Sequence, residues 1–279
     1  MSNSQSHVIL GALAAARAER PELAKLLLFY QDLFGVQLAA RAQLPAYAAP
    51  ESQAVQKRAE AGLPQLAFTD LRLEETPFGA LVARVRDVLV HHGVGDAPSE
   101  RSDPGSSPVR RAQYLFENWP MLTAPDKSEA VDLGDDLLSD PLWDQAIALA
   151  LVPYLQHAAE AVLPALEQAR WGRPICPACG GQPNLALLEP ERGGRQLVCS
   201  RCDAVWAYTR VGCPYCRSQE KQTYFLGQGG RYRLYVCPTC RRYLKTVDLR
   251  EAGRPVVPAV ERLLSVSMDL SARREGYVG

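Results

Sequence analysis

The sequence predicts a multidomain α+β protein, with an all-α N-terminal domain at residues 1–170 and two small four-cysteine β modules at 171–211 and 212–279, the second carrying a C-terminal helix. Helical periodicity fills the first region, whereas short strand-like segments and all eight cysteines fill the other two. The net charge also changes there, from −8 over residues 1–170 to +8 over residues 171–279. Three independent properties thus divide the chain near residue 170.

The overall composition is that of a folded globular protein. The 279 residues have a formal net charge of zero, with 47% hydrophobic and 22% charged side chains, which excludes a disordered chain and a globally basic nucleic-acid coat. The longest apolar stretch, Ala146 to Leu155, is shorter than the ~20 residues that a membrane-spanning helix needs. Neither a basic segment nor a twin-arginine motif precedes the apolar run Val8–Ala15. We therefore expect no signal peptide, no membrane insertion and a cytoplasmic location.

The first 170 residues show apolar side chains at helical spacing. Pro21 begins a segment in which leucines and aromatic residues recur every three or four positions, as in an amphipathic helix with proline in its first turn. A second such segment begins at Thr76 and ends at Gly93. Further helices are predicted at Val109–Trp119, Asp126–Leu138 and Asp140–Arg170, and a loop at Val94–Pro108. Pro153 and Pro164 are expected to bend or break the last helix. Because these helices have apolar faces of their own, we expect the region to fold without the modules.

From Trp171 onward, short strands separated by turns are predicted. Four segments rich in Val, Tyr, Thr and Leu are assigned as strands, namely Gln196–Val198, Val205–Thr209, Tyr224–Leu226 and Arg233–Val236. Gly193–Gly194 and Gly229–Gly230 lie between strand segments and suit hairpin turns. Helical periodicity returns at Val256–Arg274, where we expect the C-terminal helix.

All eight cysteines occur as Cys-x-x-Cys pairs in an internal repeat. The pairs are Cys176/Cys179, Cys199/Cys202, Cys213/Cys216 and Cys237/Cys240. Each unit of the repeat consists of Cys-Pro-x-Cys, a strand, a Gly-Gly-Arg turn, a strand, Cys-x-x-Cys and a strand. The two pairs of a unit are separated by 19 residues in the first unit and by 20 in the second. Such a duplication indicates one site in each unit.

The repeat predicts two tetrahedral metal sites. Two Cys-x-x-Cys turns brought together by a hairpin supply four thiolates to one ion and leave no open coordination position. A unit of about 40 residues buries too little apolar surface to be stable without such an ion. We predict one ion held by the first four cysteines and one by the last four; the competing arrangement joins Cys199 and Cys202 to Cys213 and Cys216 across a 10-residue gap. Four sulfurs suit zinc or iron.

No catalytic motif accompanies the cysteines. His7, His91, His92 and His157 all lie outside the cysteine-rich region, and the adjacent pair is interpreted as surface or helix-end residues. Glu74–Glu75 and Asp135–Asp136 are interpreted as solvated helix-end charges. The sequence contains no serine nucleophile elbow, phosphate loop or dinucleotide fingerprint. We therefore expect a protein that is not an enzyme.

The cysteine motifs and their neighbours resemble the FdhE family of formate dehydrogenase accessory proteins. The residues that carry the resemblance are Cys176-Pro-x-Cys-Gly, Leu197-x-Cys-x-x-Cys-x-x-x-Trp206, Arg210-Val-x-Cys213-x-x-Cys216, Cys237-x-x-Cys240-x-x-Tyr243-Leu244-Lys245, Asp269, Arg273 and Glu275-Gly276-Tyr277. They cover residues 171–279. The resemblance implies a helical N-terminal domain followed by two rubredoxin-like modules, with iron favoured over zinc as the ion in each four-cysteine module.

The resemblance also implies a function. Proteins of this family are cytoplasmic and are not dehydrogenases themselves. They contact the catalytic subunit of a respiratory, molybdenum-type formate dehydrogenase before its twin-arginine export, and this enzyme needs them to become active.

The sequence departs from the rubredoxin pattern at one kind of position. Only Cys179 is followed by glycine, which most easily adopts the positive φ that a metal knuckle prefers. Asp203, Arg217 and Arg241 follow the second cysteines of the other pairs.

Two other classes of function compete with the accessory protein that we favour. The +8 half, with its interleaved tyrosines and tryptophan, suggests a zinc-ribbon nucleic-acid-binding protein. The acidic first half opposes this, as do arginines that thiolate clusters would neutralise, namely Arg173, Arg201, Arg217, Arg241 and Arg242. The other class is an electron carrier with rubredoxin-like iron. We expect a formate dehydrogenase catalytic subunit as the partner and no nucleic acid, and the residues leave a homodimer open.

Overall fold

The computed structural model describes residues 3–95, 107–118, 141–166, 171–191, 193–220 and 222–279. The predicted helix Asp126–Leu138 and most of the predicted loop Val94–Pro108 lie outside these residues. The predicted fold class is confirmed, because a helical N-terminal region precedes a mixed sheet with two four-cysteine clusters and C-terminal helices.

The helical region contains six described helices. They are α1 Asn3–Glu19, α2 Ala24–Ala42, α3 Ser52–Glu60, α4 Glu75–His91, α5 Pro108–Glu117 and α6 Pro141–Leu166. A single 3₁₀ turn at Pro21–Leu23 leads into α2, where the sequence predicted a helix beginning with proline. Ser107 caps α5 by accepting a hydrogen bond from the Arg110 backbone N–H.

The long helix α6 is continuous through both of its prolines, so the predicted break is not observed. Each proline removes a backbone hydrogen bond, but α6 packs against α2, α3, α4 and α5, and this burial offsets the loss. By length and composition alone, α6 and Pro21–Ala42 are apolar enough to cross a membrane, a weak criterion that a core helix also meets. Ile147, Leu151 and Leu155 of α6 are at most 2% exposed, as in a core helix.

The two cysteine-containing units form one six-stranded sheet. Its strands are β1 Pro183–Leu188, β2 Arg195–Cys199, β3 Val205–Tyr208, β4 Thr223–Leu226, β5 Tyr232–Val236 and β6 Tyr243–Asp248, in the order β3-β2-β1-β6-β5-β4. Neighbours within a unit are antiparallel, whereas β1 and β6 join the units in parallel, from Leu185 beside Lys245 to Leu188 beside Asp248. The module boundaries at 171–211 and 212–279 stay a prediction, and a continuous sheet crosses between them.

The hydrophobic core also crosses residue 170. Phe78 and Leu155 of the helices belong to the same buried cluster as Leu197 of β2, Leu244 of β6 and all four cysteines of the first unit. The expectation that the helices fold independently of the modules is therefore not supported by the packing, because apolar faces of the helical region are covered by the first unit.

The C-terminal segment forms two helices instead of the single predicted one. Helix α7, Pro258–Leu264, ends at Ser265, and α8, Val266–Arg274, follows directly. The Ser265 hydroxyl donates a hydrogen bond to the Glu261 carbonyl at 2.7 Å, which competes with continued helix. Val260 and Leu264 of α7 pack on Leu13 of α1 and Leu27 of α2, so the end of the described chain lies against its beginning.

An acid-dependent loss of stability is expected from Asp248, at the end of β6. Its carboxylate is 1% exposed and accepts hydrogen bonds from the Arg250 and Arg233 guanidinium groups, which lower its pKa from 3.8 to about 2. Because the folded-state pKa is depressed, this stabilisation is full above pH 4 and is lost as the pH falls towards 2, by about 2 kcal/mol. Urea unfolding between pH 5 and 2 should show a steeper decline for the wild-type chain than for Asp248→Asn, and equal slopes would contradict the assignment.

Candidate metal centres

The structure gathers the eight cysteines into two groups of four, as the repeat predicted. We call Cys176, Cys179, Cys199 and Cys202 the first centre, and Cys213, Cys216, Cys237 and Cys240 the second centre; in each, all four sulfurs lie within 4.8 Å of one another. The competing arrangement across the 10-residue gap is not formed.

The sulfur separations suit a tetrahedral ion. In the first centre, the Sγ atoms of Cys176 and Cys202 are 3.6 Å apart and those of Cys179 and Cys199 are 3.5 Å apart. In the second centre, the Sγ atoms are 3.7 Å apart in both the Cys213–Cys240 and the Cys216–Cys237 pair. Metal–sulfur bonds of about 2.3 Å place neighbouring sulfurs about 3.8 Å apart, whereas a disulfide needs about 2.05 Å. The donor set and its spacing therefore fit zinc or iron, and the cysteines are free thiols.

Each Cys-x-x-Cys pair adopts the same knuckle. The N–H of its first cysteine donates to the carbonyl five residues later, in Cys176 to Gly181, Cys199 to Ala204, Cys213 to Ser218 and Cys237 to Arg242, at 2.8–2.9 Å. The residue after its second cysteine has positive φ in every case: Gly180 at 74°, Asp203 at 58°, Arg217 at 62° and Arg241 at 55°. The missing glycines therefore leave the knuckle unchanged, at a cost of roughly 1 kcal/mol each.

Residues far away in sequence complete the first centre. The backbone N–H groups of Gln65 and Leu66, between α3 and α4, donate to the carbonyls of Pro177 and Ala178 inside the first knuckle, both at 2.9 Å. From α7, the Arg262 guanidinium donates to the Cys199 carbonyl at 2.7 Å and pairs with Asp203. None of these three residues was predicted from the sequence, since none has a local motif that links it to a cysteine.

Burial and the proximity of the thiols govern the protonation of the first centre. Burial raises the pKa of Cys176, whereas hydrogen bonds from Cys176, Cys199 and Cys202 lower the pKa of Cys179. An ion that binds all four as thiolates must displace the remaining protons, and metal binding here is expected to release protons.

The second centre has a more polar surrounding. Cys216 is exposed, Cys240 is half-buried, and the Thr239 hydroxyl donates to the Glu220 carboxylate at 2.9 Å beside them. Burial opposes ionisation of Cys237, but the N–H groups of Cys240 and Thr239 and the Cys216 thiol outweigh it and lower its pKa to about 7. Backbone donors thus favour the thiolate form of Cys237, whereas burial raises the pKa of Cys213 and Cys240.

A half-buried tyrosine links the Cys213–Cys216 knuckle to the sheet. The Tyr215 hydroxyl lies within hydrogen-bond distance of two acceptors, the carbonyls of Pro183 at 3.1 Å and Tyr243 at 3.2 Å. The Arg242 guanidinium stacks on the Tyr215 ring, 3.8 Å from its centroid. Tyr215 therefore connects the second centre to the first strand of the first unit. Burial raises the pKa of Tyr215.

The arginines predicted to offset thiolate charge divide into two groups. Arg201 and Arg242 are buried beside the first and second centre respectively, and Arg217 and Arg241 occupy the exposed knuckle positions of the second. Arg173 stacks on Trp171, 5.9 Å from its ring centroid.

The other residues considered from the sequence form no metal cluster among the described residues. His92 contacts Asp32 at 2.8 Å, and His157 contacts the Pro45 carbonyl at the same distance. Glu75 is the first residue of α4, and its carboxylate accepts a hydrogen bond from the Ser107 hydroxyl, consistent with a helix-end charge. Asp135–Asp136 lies outside the described residues.

Comparisons with known proteins point to one group of relatives. The chain is 27% identical to the FdhE homologue of Aquifex aeolicus over 236 residues, which is 82% of this chain and 76% of that protein. The predicted resemblance to the FdhE family is confirmed. FdhE homologues of Stutzerimonas stutzeri and Shewanella oneidensis are 33% and 26% identical over 108 and 134 residues, and these matches span 35% and 44% of the relatives' lengths. No family model matches the chain.

A solved FdhE structure has the same fold. The crystal structure of the FdhE protein from Pseudomonas aeruginosa superposes with a TM-score of 0.62 over 96% of this chain and 90% of that chain, at 22% identity. The similarity therefore extends through the helical region, where the sequence motifs gave no specific match.

Proposed function

We propose that the chain is an accessory protein for the maturation of a respiratory, molybdenum-type formate dehydrogenase, whose catalytic subunit it binds in the cytoplasm, and that it is not an enzyme. The observation that carries this proposal is the pair of complete four-sulfur centres in an FdhE-like chain. With four thiolates on one ion, neither centre has a coordination position for substrate or water.

In this proposal the eight cysteines hold two ions, with iron favoured by family resemblance and zinc also compatible with four sulfurs. A bound ion supplies a tetrahedral cross-link between two knuckles. The chain's own residues then hold the knuckle loops in fixed positions, through the hydrogen bonds of Gln65, Leu66 and Arg262 at the first centre and of Tyr215 at the second. Fixed loops on one continuous sheet suit a surface that recognises a folded partner.

Internal ion pairs weigh against the nucleic-acid alternative. Several arginines of the +8 half are paired inside the protein: Arg231 with Glu261, Arg233 and Arg250 with Asp248, and Arg262 with Asp203. A nucleic-acid surface needs cations that are free to contact phosphate. These four arginines are therefore already paired with carboxylates of the same half, which leaves fewer cations for contact with phosphate.

Co-purification with the client is the test of the proposed function. The tagged full-length chain, expressed in a host that makes the exported enzyme, should co-purify with the catalytic subunit, and deletion of its gene should abolish formate oxidation. The purified chain should not oxidise formate. Full activity in the deletion strain, together with no binding of the catalytic subunit, would refute the proposal. A salt-dependent mobility shift with random DNA would then favour the nucleic-acid alternative.

A further inference from the structure

The two centres differ sharply in their access to solvent. In the first centre, Cys176 and Cys199 are 0% exposed and Cys179 and Cys202 are 4% exposed. In the second centre, only Cys213 and Cys237 are buried to this degree, while Cys216 is exposed. The duplicated sequence units do not account for this difference, because both have the same knuckles.

The helical region is what covers the first centre. The segment Pro64–Leu66 binds the first knuckle through two backbone hydrogen bonds, and the Pro64 ring lies 3.0 Å from the position of a Cβ added to Gly180. From α6, the Gln156 side chain donates to the Asp203 carboxylate at 2.7 Å at the other knuckle. Both knuckles of the first centre are thus held from outside the unit.

The corresponding knuckle residues of the second centre face solvent. Arg217 and Arg241 replace Gly180 and Asp203, and both are exposed. Arg241 is held by the Glu275 carbonyl at 2.7 Å and by the Tyr277 ring at 4.4 Å. Four thiolates around a divalent ion carry a net charge of −2. The exposed side chains of Arg217 and Arg241 offset this charge, against the nearby Glu220 carboxylate, and so reduce the repulsion of small anions.

We propose that the second centre is a metal-exchange site that small anionic thiols reach beside Cys216, whereas the first centre is a permanent structural site. This inference rests on the metal occupancy in the proposed function. In an exchange step, an entering thiol loses its proton to solvent and bonds to the ion, the metal–Sγ bond of Cys216 breaks, and the Cys216 thiolate takes up a proton. The step needs contact between the entering sulfur and the ion, which burial prevents at the first centre.

Metal release from the full chain tests this proposal. The chain loaded with two zinc ions is mixed with excess glutathione, an anionic thiol, and a zinc-binding dye reports release. We expect one equivalent to leave at least 10-fold faster than the other. Alkylation with N-ethylmaleimide during the fast phase, mapped by mass spectrometry, should modify Cys216 and Cys240 and leave the four cysteines of the first centre unmodified.

Matched variants separate the effect of solvent access to the ion from the effect of the arginine charge. Arg217→Asn keeps a residue that tolerates positive φ and removes one cation, so it should slow the fast phase with glutathione and not with neutral 2-mercaptoethanol. Cys216→Ser should abolish binding of one ion or accelerate its release, and should leave the slow phase unchanged. Cys179→Ser should alter the slow phase.

Three outcomes would overturn the inference. They are release of both ions in one phase, labelling of the first-centre cysteines before Cys216, and fewer than two ions in the loaded chain. Biphasic release from a chain that binds no formate dehydrogenase subunit would instead support this inference and refute only the proposed function. Binding of that subunit by a chain that releases both ions in one phase would support the proposed function and refute only this inference.

Discussion

Replacing Cys199 and Cys202 together by serine is expected to remove the first ion and to destabilise the helical region as well as the first unit. The ion contributes on the order of 10–16 kcal/mol to folding in isolated zinc-finger peptides. Both cysteines lie in the cluster of buried residues that also contains Phe78 and Leu155 of the helices. Loss of the knuckles also leaves the Gln65 and Leu66 N–H groups without their acceptors.

The measurement is the metal content of the purified variant, together with thermal unfolding followed by far-UV circular dichroism at 222 nm. We expect one ion fewer and a lowered, broadened helical transition. The matched control is Cys213→Ser with Cys216→Ser at the second centre, whose cysteines are outside that core cluster. The control should also lose one ion, with a smaller effect on the helices. An unchanged helical transition in the first variant would show that the two regions fold independently.

Replacing Glu261 by alanine is expected to cost about 3–5 kcal/mol of unfolding free energy, because it breaks a buried ion pair. The Glu261 side chain is 0% exposed; it accepts hydrogen bonds from the Arg231 guanidinium at 2.6 Å and the Tyr232 hydroxyl at 2.5 Å, and Arg254 lies 3.1 Å away. Without the carboxylate, Arg231 keeps its charge in a mostly buried position. The effect should reach α1 and α2, on which α7 packs.

Urea unfolding of Glu261→Ala measures this effect. Glu251→Ala is the control, since Glu251 is an exposed residue of a short 3₁₀ turn and its loss should change stability by no more than about 0.5 kcal/mol. Glu261→Gln, which keeps an acceptor oxygen and removes the charge, should fall between the two. Equal unfolding midpoints for Glu261→Ala and Glu251→Ala would contradict the role of the buried pair.

Local sequence patterns determined the strands and the grouping of the cysteines. The four strand segments named from composition lie within or overlap β2, β3, β4 and β5. The strands β1 and β6 follow from the repeat, although neither shows alternation: β1 is an apolar run, as in a strand buried on both faces. The grouping followed from the 19- and 20-residue gaps, because a hairpin of that length returns the chain to its own knuckle.

The tertiary structure alone decided how the units meet and which centre is covered. The parallel pairing of β1 with β6, the hydrogen bonds of Gln65 and Leu66 to the first knuckle and the Arg262–Asp203 pair join residues 59 to 112 positions apart in sequence. No local propensity encodes such contacts, because they depend on which apolar faces bury each other when the whole chain packs. Two units with nearly the same spacing and the same knuckles therefore differ in exposure. The sequence determined that there are two centres; packing by the helical region closed one of them and left Cys216 of the other at the surface.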